Sequence, residues 1–194
     1  MEQLPMAKWS LDRAHSNVEF SAKHMMFTTV RGRFDDVAVT LDFDEANPAA
    51  SSVVAEMKAT SINTGQEFRD NHLRSADFLD ADKFPVIRFE STSVEPRGRT
   101  DKGGTDYLIH GNLTIRDVTR PVTLEAEFLG VQADIGKDPA KRRAAFSAAT
   151  KISRRDWGLT WNVGLESGGW LVGDAITISI EVAALAEVEV AQAA

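Results

Sequence analysis

Four histidines are the side chains of this 194-residue chain that could bind a metal ion or transfer protons near neutral pH. They are His15, His24, His72 and His110, and none of them forms the H-x-H, H-x3-H or H-E-x-x-H spacing that brings ligands to one ion. We therefore predict no metal site. The chain has no Cys, which excludes disulfide bonds, thiolate metal sites and cysteine nucleophiles.

Motifs that bind phosphate or activate a serine are also missing from the sequence. G-x-S-x-G and G-x-G-x-x-G do not occur. The stretch from Gly130 to Lys137 has five residues between its glycines and Asp138 after the lysine, whereas a phosphate loop needs four residues and then Ser or Thr. The sequence therefore predicts no cofactor and no catalytic centre, and we do not expect an enzyme.

Basic residues cluster in one segment, 137–155, which holds seven of them and a single acid. The chain as a whole has a formal net charge of -7, which argues against nucleic acid as its partner. We predict that Lys137 to Arg143 form an exposed hairpin loop. Arg154 precedes Trp157 and Trp161, and a guanidinium binds anions and stacks on aromatic rings. We therefore expect Arg154 to contact the anionic head group of an amphiphile.

Alternation of apolar and polar residues with period two is the dominant pattern, and it predicts half-buried β-strands. Eight strands are predicted, at about 17–24, 37–44, 53–60, 86–94, 107–116, 122–128, 144–152 and 176–182. Between the predicted strands at 53–60 and 86–94, a capping-box spacing at Thr64 and Glu67 predicts a helical insertion over about residues 64–80. We expect this insertion to dock on one end of an all-β antiparallel barrel or sandwich.

The residues predicted to point inward mix large and small side chains. His24 continues the inward series of Val18, Phe20 and Ala22, so it is either a hydrogen-bonded core residue or a ligand contact. Long strands lined partly by alanine favour an internal cavity. The same mixture also fits a filled core in which large and small residues interdigitate.

Several ordered blocks of the sequence resemble the YceI-like family. They are DRAHS (12–16), SINT (61–64), RDNHLRSADF (69–78), FPVIRF (84–89), HGNLTI (110–115), VTRPV (118–122), SRRDWG (153–158) and VGD (172–174). The resemblance implies one eight-stranded antiparallel, lipocalin-like barrel domain over residues 8–184, with 185–194 as a C-terminal tail. It also implies an apolar tunnel that binds a polyisoprenoid or a similar amphiphile without catalysis. Trp157 stands where the family commonly has Phe.

Our hypothesis is a carrier that holds a lipid-like molecule in the barrel interior. The residues expected to line or gate the site are Phe20, His24, Phe34, Met57, Phe89, Ile115, Phe146, Arg154, Trp157 and Trp161. Two alternatives stay open. One is an enzyme that acts on a hydrophobic substrate with His24 or His72 as general base. The other is a packed barrel without a cavity, which acts as an interaction or stress-response protein.

The terminal residues and the outer face bear on location and assembly. Residues 1–6 show no basic stretch followed by an apolar run, and no segment reaches the length of a membrane span. We therefore expect a cytoplasmic protein without stable membrane insertion. A homodimer stays open, although no apolar stripe on the outward-facing residues requires one.

Overall fold

The structure, a computed structural model, describes residues 9–44, 47–99, 104–133 and 141–187, and only the backbone at 133 and 187. Its strand segments are β1 (Trp9–Leu11), β2 (Asn17–His24), β3 (Thr28–Phe34), β4 (Val37–Asp42), β5 (Ser52–Lys58), β6 (Ile62–Asn63), β7 (Val86–Arg99), β8 (Thr105–Ile115), β9 (Val118–Ala133), β10 (Lys141–Ser153) and β11 (Val172–Glu187). The helix α1 spans Glu67–Arg74, and short 3-10 turns occupy Arg13–His15, Pro48–Ala50, Ala59–Ser61 and Arg154–Trp157.

These segments form an eight-stranded antiparallel barrel in which each strand pairs with its neighbour in the chain. β1 and β2 are two parts of one interrupted strand, as are β3 and β4, and β6 continues β5 along the edge of β3. The barrel closes where β11 pairs with both β1 and β2. Among the described residues, β3 pairs with β2 along its length but with β6 only at Arg33 and Phe34. The predicted all-β barrel with one short helical insertion is confirmed.

A break at Asp35 and Asp36 shifts the alternation between β3 and β4. Residues with even numbers face the interior in β3, and residues with odd numbers do so in β4. Asp35 holds the break, because its carboxylate accepts hydrogen bonds from Arg33 Nε (2.6 Å) and Asn63 Nδ2 (2.7 Å). This local polar network lets one long strand change its inward parity without leaving the barrel.

The structure corrects three boundaries. β3 was not among the predicted strands. Lys141–Arg143 are part of β10 and pair with β9 and β11, so the prediction of a loop there is wrong; Lys137 and Asp138 lie outside the described residues. β11 continues to Glu187, because Leu185 and Ala186 pair with Ser10 and Trp9 and so belong to the barrel rather than to the tail.

The helical insertion docks on the end of the barrel where β2, β8 and β10 end. Its N-cap is Gln66, whose side chain accepts the Arg69 N–H at 2.9 Å, rather than the predicted Thr64. The Thr64 hydroxyl and backbone N–H instead donate to the buried carboxylate of Asp70 (2.5 and 2.9 Å). These bonds tie the helix to the end of β6. No helix among the described residues has the length and apolar character needed to cross a bilayer.

Candidate ligand-binding cavity

An apolar cavity of about 610 Å³ occupies the barrel interior. Inward-facing residues of β2 to β5 and β7 to β11 line it, and four of them are alanines, which leave the space unfilled: Ala22, Ala55, Ala126 and Ala148. Large inward side chains such as Phe20 and Phe34 are only half-buried, because one side of each ring faces empty volume. The alternative of a packed barrel without a cavity is therefore wrong.

Two glycines let phenylalanine rings lie flat against the barrel wall. A Cβ atom on Gly32 would lie closer than 3.0 Å to the ring of Phe20, and one on Gly111 would meet the ring of Phe89 in the same way. Only glycine permits this approach of a ring to the backbone. The rings consequently cover the wall instead of crossing the lumen, and the cavity stays open.

Four aromatic rings close one end of the cavity, and we call Trp9, Phe43, Phe128 and Phe146 the aromatic plug. The ring centroid of Phe43 lies 5.0 Å from those of Phe128 and Phe146 and 6.0 Å from that of Trp9. Trp9 and Phe43 are buried. Because three of the four rings also line the cavity, the plug forms its floor.

The other end of the cavity opens beside α1. Phe68 and Gln66 line the cavity although both are exposed, Phe68 to 80%. Arg69 also lines it, and its guanidinium donates to the hydroxyl (2.7 Å) and the carbonyl (3.1 Å) of Thr64. His24 lines the cavity from the end of β2, and its imidazole has no hydrogen-bond partner among the described residues. We call this opening the mouth.

His72 of α1 faces the cavity and has a carboxylate partner. Its Nε2 lies 2.9 Å from Oδ2 of Asp77, and its ring contacts the rings of Trp161 and Phe78 edge-on, with centroids 4.5 and 5.1 Å away. The pair fixes the orientation of the imidazole beside the mouth. Within the described residues, no group of three or more His, Asp or Glu could hold a metal ion.

Arg154 is buried, and protein oxygens surround its guanidinium. Nε donates to the Gly173 carbonyl (3.1 Å), Nη1 donates to the carbonyls of Leu159 (2.5 Å) and Trp161 (2.9 Å), and Nη2 lies 3.4 Å from the Val172 carbonyl and 3.2 Å from the Asp174 carboxylate. Burial lowers the pKa of Arg154, and the Asp174 charge opposes this shift. A guanidinium has five N–H donors, and Arg154 makes four hydrogen bonds to these carbonyl groups. Arg154 lines the cavity and holds the chain around the mouth through these bonds. Its expected contact with an anionic head group stays a prediction.

Trp157 is a core residue and does not line the cavity, so its predicted role as a gate is wrong. Its indole is almost fully buried, and Nε1 donates to the Leu113 carbonyl at 3.0 Å. The other predicted residues line the cavity: Phe20, His24, Phe34, Met57, Phe89, Ile115, Phe146, Arg154 and Trp161. Sequence reasoning missed Phe68 as a lining residue. Its i, i+4 spacing to His72 was the available signal, because these positions share a helix face.

An eight-stranded antiparallel barrel with room for one small molecule inside defines the lipocalin-like class of folds. Within that class, the chain belongs to the YceI-like family, because the model of the YceI-like domain matches residues 9–184. Protein YceI of Salmonella newport and Protein YceI of Escherichia coli are each 40% identical to this chain over 161 residues, which cover 81% of the chain and 79% of each relative.

Solved structures show the same fold. The Campylobacter jejuni YCEI protein has a TM-score of 0.66 at 32% identity, with 94% of this chain and 97% of that one covered. Burkholderia cenocepacia BcnA has a TM-score of 0.71 at 24% identity, with 89% and 98% covered. A polyisoprenoid binding domain from Saccharophagus degradans has a TM-score of 0.60 at 15% identity, with 96% and 99% covered. The last two likenesses concern the fold alone.

Proposed function

We propose that this protein binds one polyisoprenoid-like lipid in the barrel interior and carries it without chemical change. The observation that carries the proposal is the apolar cavity of about 610 Å³, which has an aromatic floor at one end and a mouth at the other. The fold shared with the polyisoprenoid binding domain from Saccharophagus degradans supports the same ligand class.

The energy for binding comes from the apolar tail. Burial is favourable by about 25 cal/mol per Å² of apolar surface, so a tail of roughly 400 Å² would gain about 10 kcal/mol before the costs of association. A flexible tail loses conformational freedom in the cavity, which reduces this gain. Affinity is therefore expected to rise with tail length until the tail reaches the aromatic plug.

The polar head group is expected at the mouth, because aromatic rings form the floor whereas several charged and polar side chains line the mouth. Polar side chains that line the cavity near the mouth are Lys23, His24, Gln66, Arg69 and His72. The His24 imidazole has no protein partner among the described residues, so it can bond a head group without breaking an existing contact. Arg154 also lines the cavity, but its Nε and Nη1 already donate to protein carbonyl groups.

Adjacent alanines of β10 provide a matched test of the proposal. Ala148 lines the cavity, whereas Ala149 is exposed on the outer face. We expect Ala148→Trp to weaken the uptake of a fluorescent prenyl lipid about tenfold or more, and Ala149→Trp to leave it unchanged. Ala148→Phe supplies a smaller obstruction if the Trp variant does not fold.

Mass spectrometry of an organic extract gives a second readout. We expect an elongated apolar molecule to leave the purified protein with the solvent. Protein that is empty in every preparation and also takes up no prenyl lipid would contradict the proposal. Equal effects of the Ala148 and Ala149 substitutions would contradict it as well.

One observation favours an enzymatic alternative, namely the His72–Asp77 pair beside the cavity. A general base requires such a partner and access to the substrate. If the protein is a carrier, a prenyl lipid recovered after prolonged incubation is chemically intact, and His72→Gln changes only the affinity. Conversion of the lipid by the wild-type protein, lost in His72→Gln, would favour the enzyme instead.

A further inference from the structure

The turn between β2 and β3 exposes three apolar residues at the mouth. Met25, Met26 and Phe27 are exposed to 40%, 57% and 78%. The Phe27 N–H donates to the His24 carbonyl at 3.1 Å, so Met25 and Met26 are the central residues of the turn. Their φ angles are 50° and 65°, in the left-handed region that tight hairpins reserve for Asn and Gly. The sequence thus accepts an unfavourable backbone to place apolar side chains at this tip.

The tip is part of a larger exposed apolar surface. The Met25 N–H donates to the Leu171 carbonyl at 2.8 Å, and the Met26 side chain lies against Gly169. The adjoining loop exposes Val163 and Trp170, the latter to 50%, and α1 exposes Phe68. We call these six residues the apolar rim: Met25, Met26, Phe27, Phe68, Val163 and Trp170.

The apolar rim is continuous with the cavity wall. Phe68 belongs to both, and His24 and Leu171, which line the cavity, are the chain neighbours of Met25 and Trp170. An apolar molecule that leaves the cavity therefore passes directly onto the rim. Exposed Met, Phe and Trp side chains at the opening of an apolar cavity are chemically suited to the headgroup region of a bilayer, where Trp in particular is favoured.

The charge of the β2–β3 hairpin also favours contact with a membrane surface. Residues 20–34 carry Lys23, Arg31 and Arg33 and no acid, in a chain whose net charge is -7. Lys23 and Arg31 are exposed and form no ion pair with any described residue. The other two parts of the rim each carry an acid: Glu67 lies on α1, and Glu166 lies in the loop that holds Val163 and Trp170. The hairpin is therefore the part of the rim that would attract anionic headgroups.

We propose that the apolar rim docks the barrel on the surface of a lipid bilayer, with the hairpin tip inserted between headgroups and the mouth facing the lipid. The role of this docking in loading the cavity rests on the proposed carrier function. The docking itself is a separate property of the rim, and it can be measured on protein with an empty cavity.

Co-sedimentation with phosphatidylcholine vesicles and with vesicles that also contain phosphatidylglycerol tests the docking. Burial of one large apolar side chain corresponds to about a tenfold or larger change in a binding constant. We expect the double variant Met26→Ser, Phe27→Ser to bind both kinds of vesicle at least about tenfold more weakly. Leu129→Ser is the control, since Leu129 is also an exposed apolar residue, at 52%, but follows Phe128 of the aromatic plug.

Two further variants separate insertion from electrostatics and from misfolding. Lys23→Gln with Arg31→Gln is expected to reduce binding only to vesicles that contain phosphatidylglycerol, by about fivefold per residue. Met25→Asn with Met26→Gly supplies the residues that the turn favours. We expect this pair to raise Tm and yet to weaken vesicle binding, an outcome that damage to the fold cannot produce.

The cavity and the rim can be tested independently. Ala148→Trp should weaken ligand uptake and leave vesicle binding intact, whereas the double variant Met26→Ser, Phe27→Ser should still take up a prenyl lipid delivered from detergent. Absent vesicle binding by the wild-type protein, or equal losses in the rim and Leu129 variants, would overturn the docking proposal alone. So would a dimer that the rim variant dissociates, because a second copy would then cover the rim.

Discussion

The two ends of the barrel are built by opposite means. At the aromatic plug, apolar rings fill the lumen and contact one another. At the mouth, the Arg154 guanidinium and the Asp70 carboxylate gather backbone and hydroxyl groups around an opening. Apolar packing stabilises only by filling space, whereas hydrogen bonds can frame a space and leave it empty. Among the residues that the structure describes, the two buried charged ones, Asp70 and Arg154, both lie at the open end of the barrel.

The largest expected contrast is between two phenylalanines, one at each end. Phe43→Ala should cost about 3–5 kcal/mol of unfolding free energy, because it removes the ring that contacts the other three rings of the aromatic plug. Phe68→Ala should change that free energy by no more than about 0.5 kcal/mol, because Phe68 is exposed. Urea denaturation of both variants measures the contrast. Comparable losses would mean that the two ends are not built differently.

Two neighbouring arginines test the frame of the mouth. Arg154→Ala should cost about 3 kcal/mol, since it leaves several buried carbonyl groups without a donor and removes one of the two arginines beside Asp174. Arg155→Ala removes an exposed contact to the same carboxylate and should cost at most about 1 kcal/mol.

Ligand binding by the Arg154→Ala variant shows whether Arg154 only supports the structure of the mouth or also contacts the ligand head group. If Arg154 only frames the mouth, its removal weakens a prenyl phosphate and a neutral prenyl quinone by similar factors in a fluorescence titration. A loss confined to the phosphate would restore the role in head-group binding that its sequence context indicated.

The two tryptophans near Arg154 should respond differently to the same substitution. Trp157→Phe removes a buried hydrogen bond to Leu113 and should cost about 1–2 kcal/mol while leaving ligand affinity unchanged. Trp161→Phe should cost less, because Trp161 Nε1 bonds to no described residue, but it should alter ligand affinity. Thermal denaturation and a binding titration check the pair; interchanged outcomes would reverse the two assignments.

The smallest effect concerns pH and lies at the plug end. Burial alone would raise the pKa of Asp12, but hydrogen bonds from His15, the Ala14 N–H and Arg143 outweigh it and lower that pKa. Stability from this group is therefore present above the unfolded value near 3.8 and is lost as pH falls through the lower folded value. Asp12→Asn should reduce the loss of unfolding free energy between about pH 5 and pH 2, by no more than about 1 kcal/mol. Denaturation measured across this pH range checks the prediction, and an identical loss in the wild type and the variant would contradict it.

The fold was predictable because its strands alternate strongly. The exception, β3, follows the apolar turn at Met25–Phe27 and places Gly32 at an inward position, so its apolar alternation is interrupted. The break at Asp35 then changes which residues face inward, from even-numbered to odd-numbered ones, and no local sequence pattern indicates that change. Short polar networks of this kind depend on partners such as Asn63, which are distant in the chain.

The wall of the site was easier to predict than its ends. Inward phenylalanines such as Phe20 and Phe89 follow from strand parity alone. The roles of Arg154 and Trp157 depend on which carbonyl groups meet their donors, and Leu113 is 44 residues away from Trp157. Residue type indicates what a side chain can bond, but only the tertiary arrangement decides whether those bonds are already made.

The pairing of β1 with β11 also constrains how the barrel folds. Trp9, Ser10 and Leu11 pair with Ala186, Leu185 and Ala184, so the sheet closes only after residues 9–186 have left the ribosome. Until then, β2 and β10 lack their shared neighbour. Contacts between such distant residues slow folding and expose strand edges in the meantime. Barrel closure is therefore expected to be a late event in folding, and removal of residues 9–11 should slow it and promote aggregation.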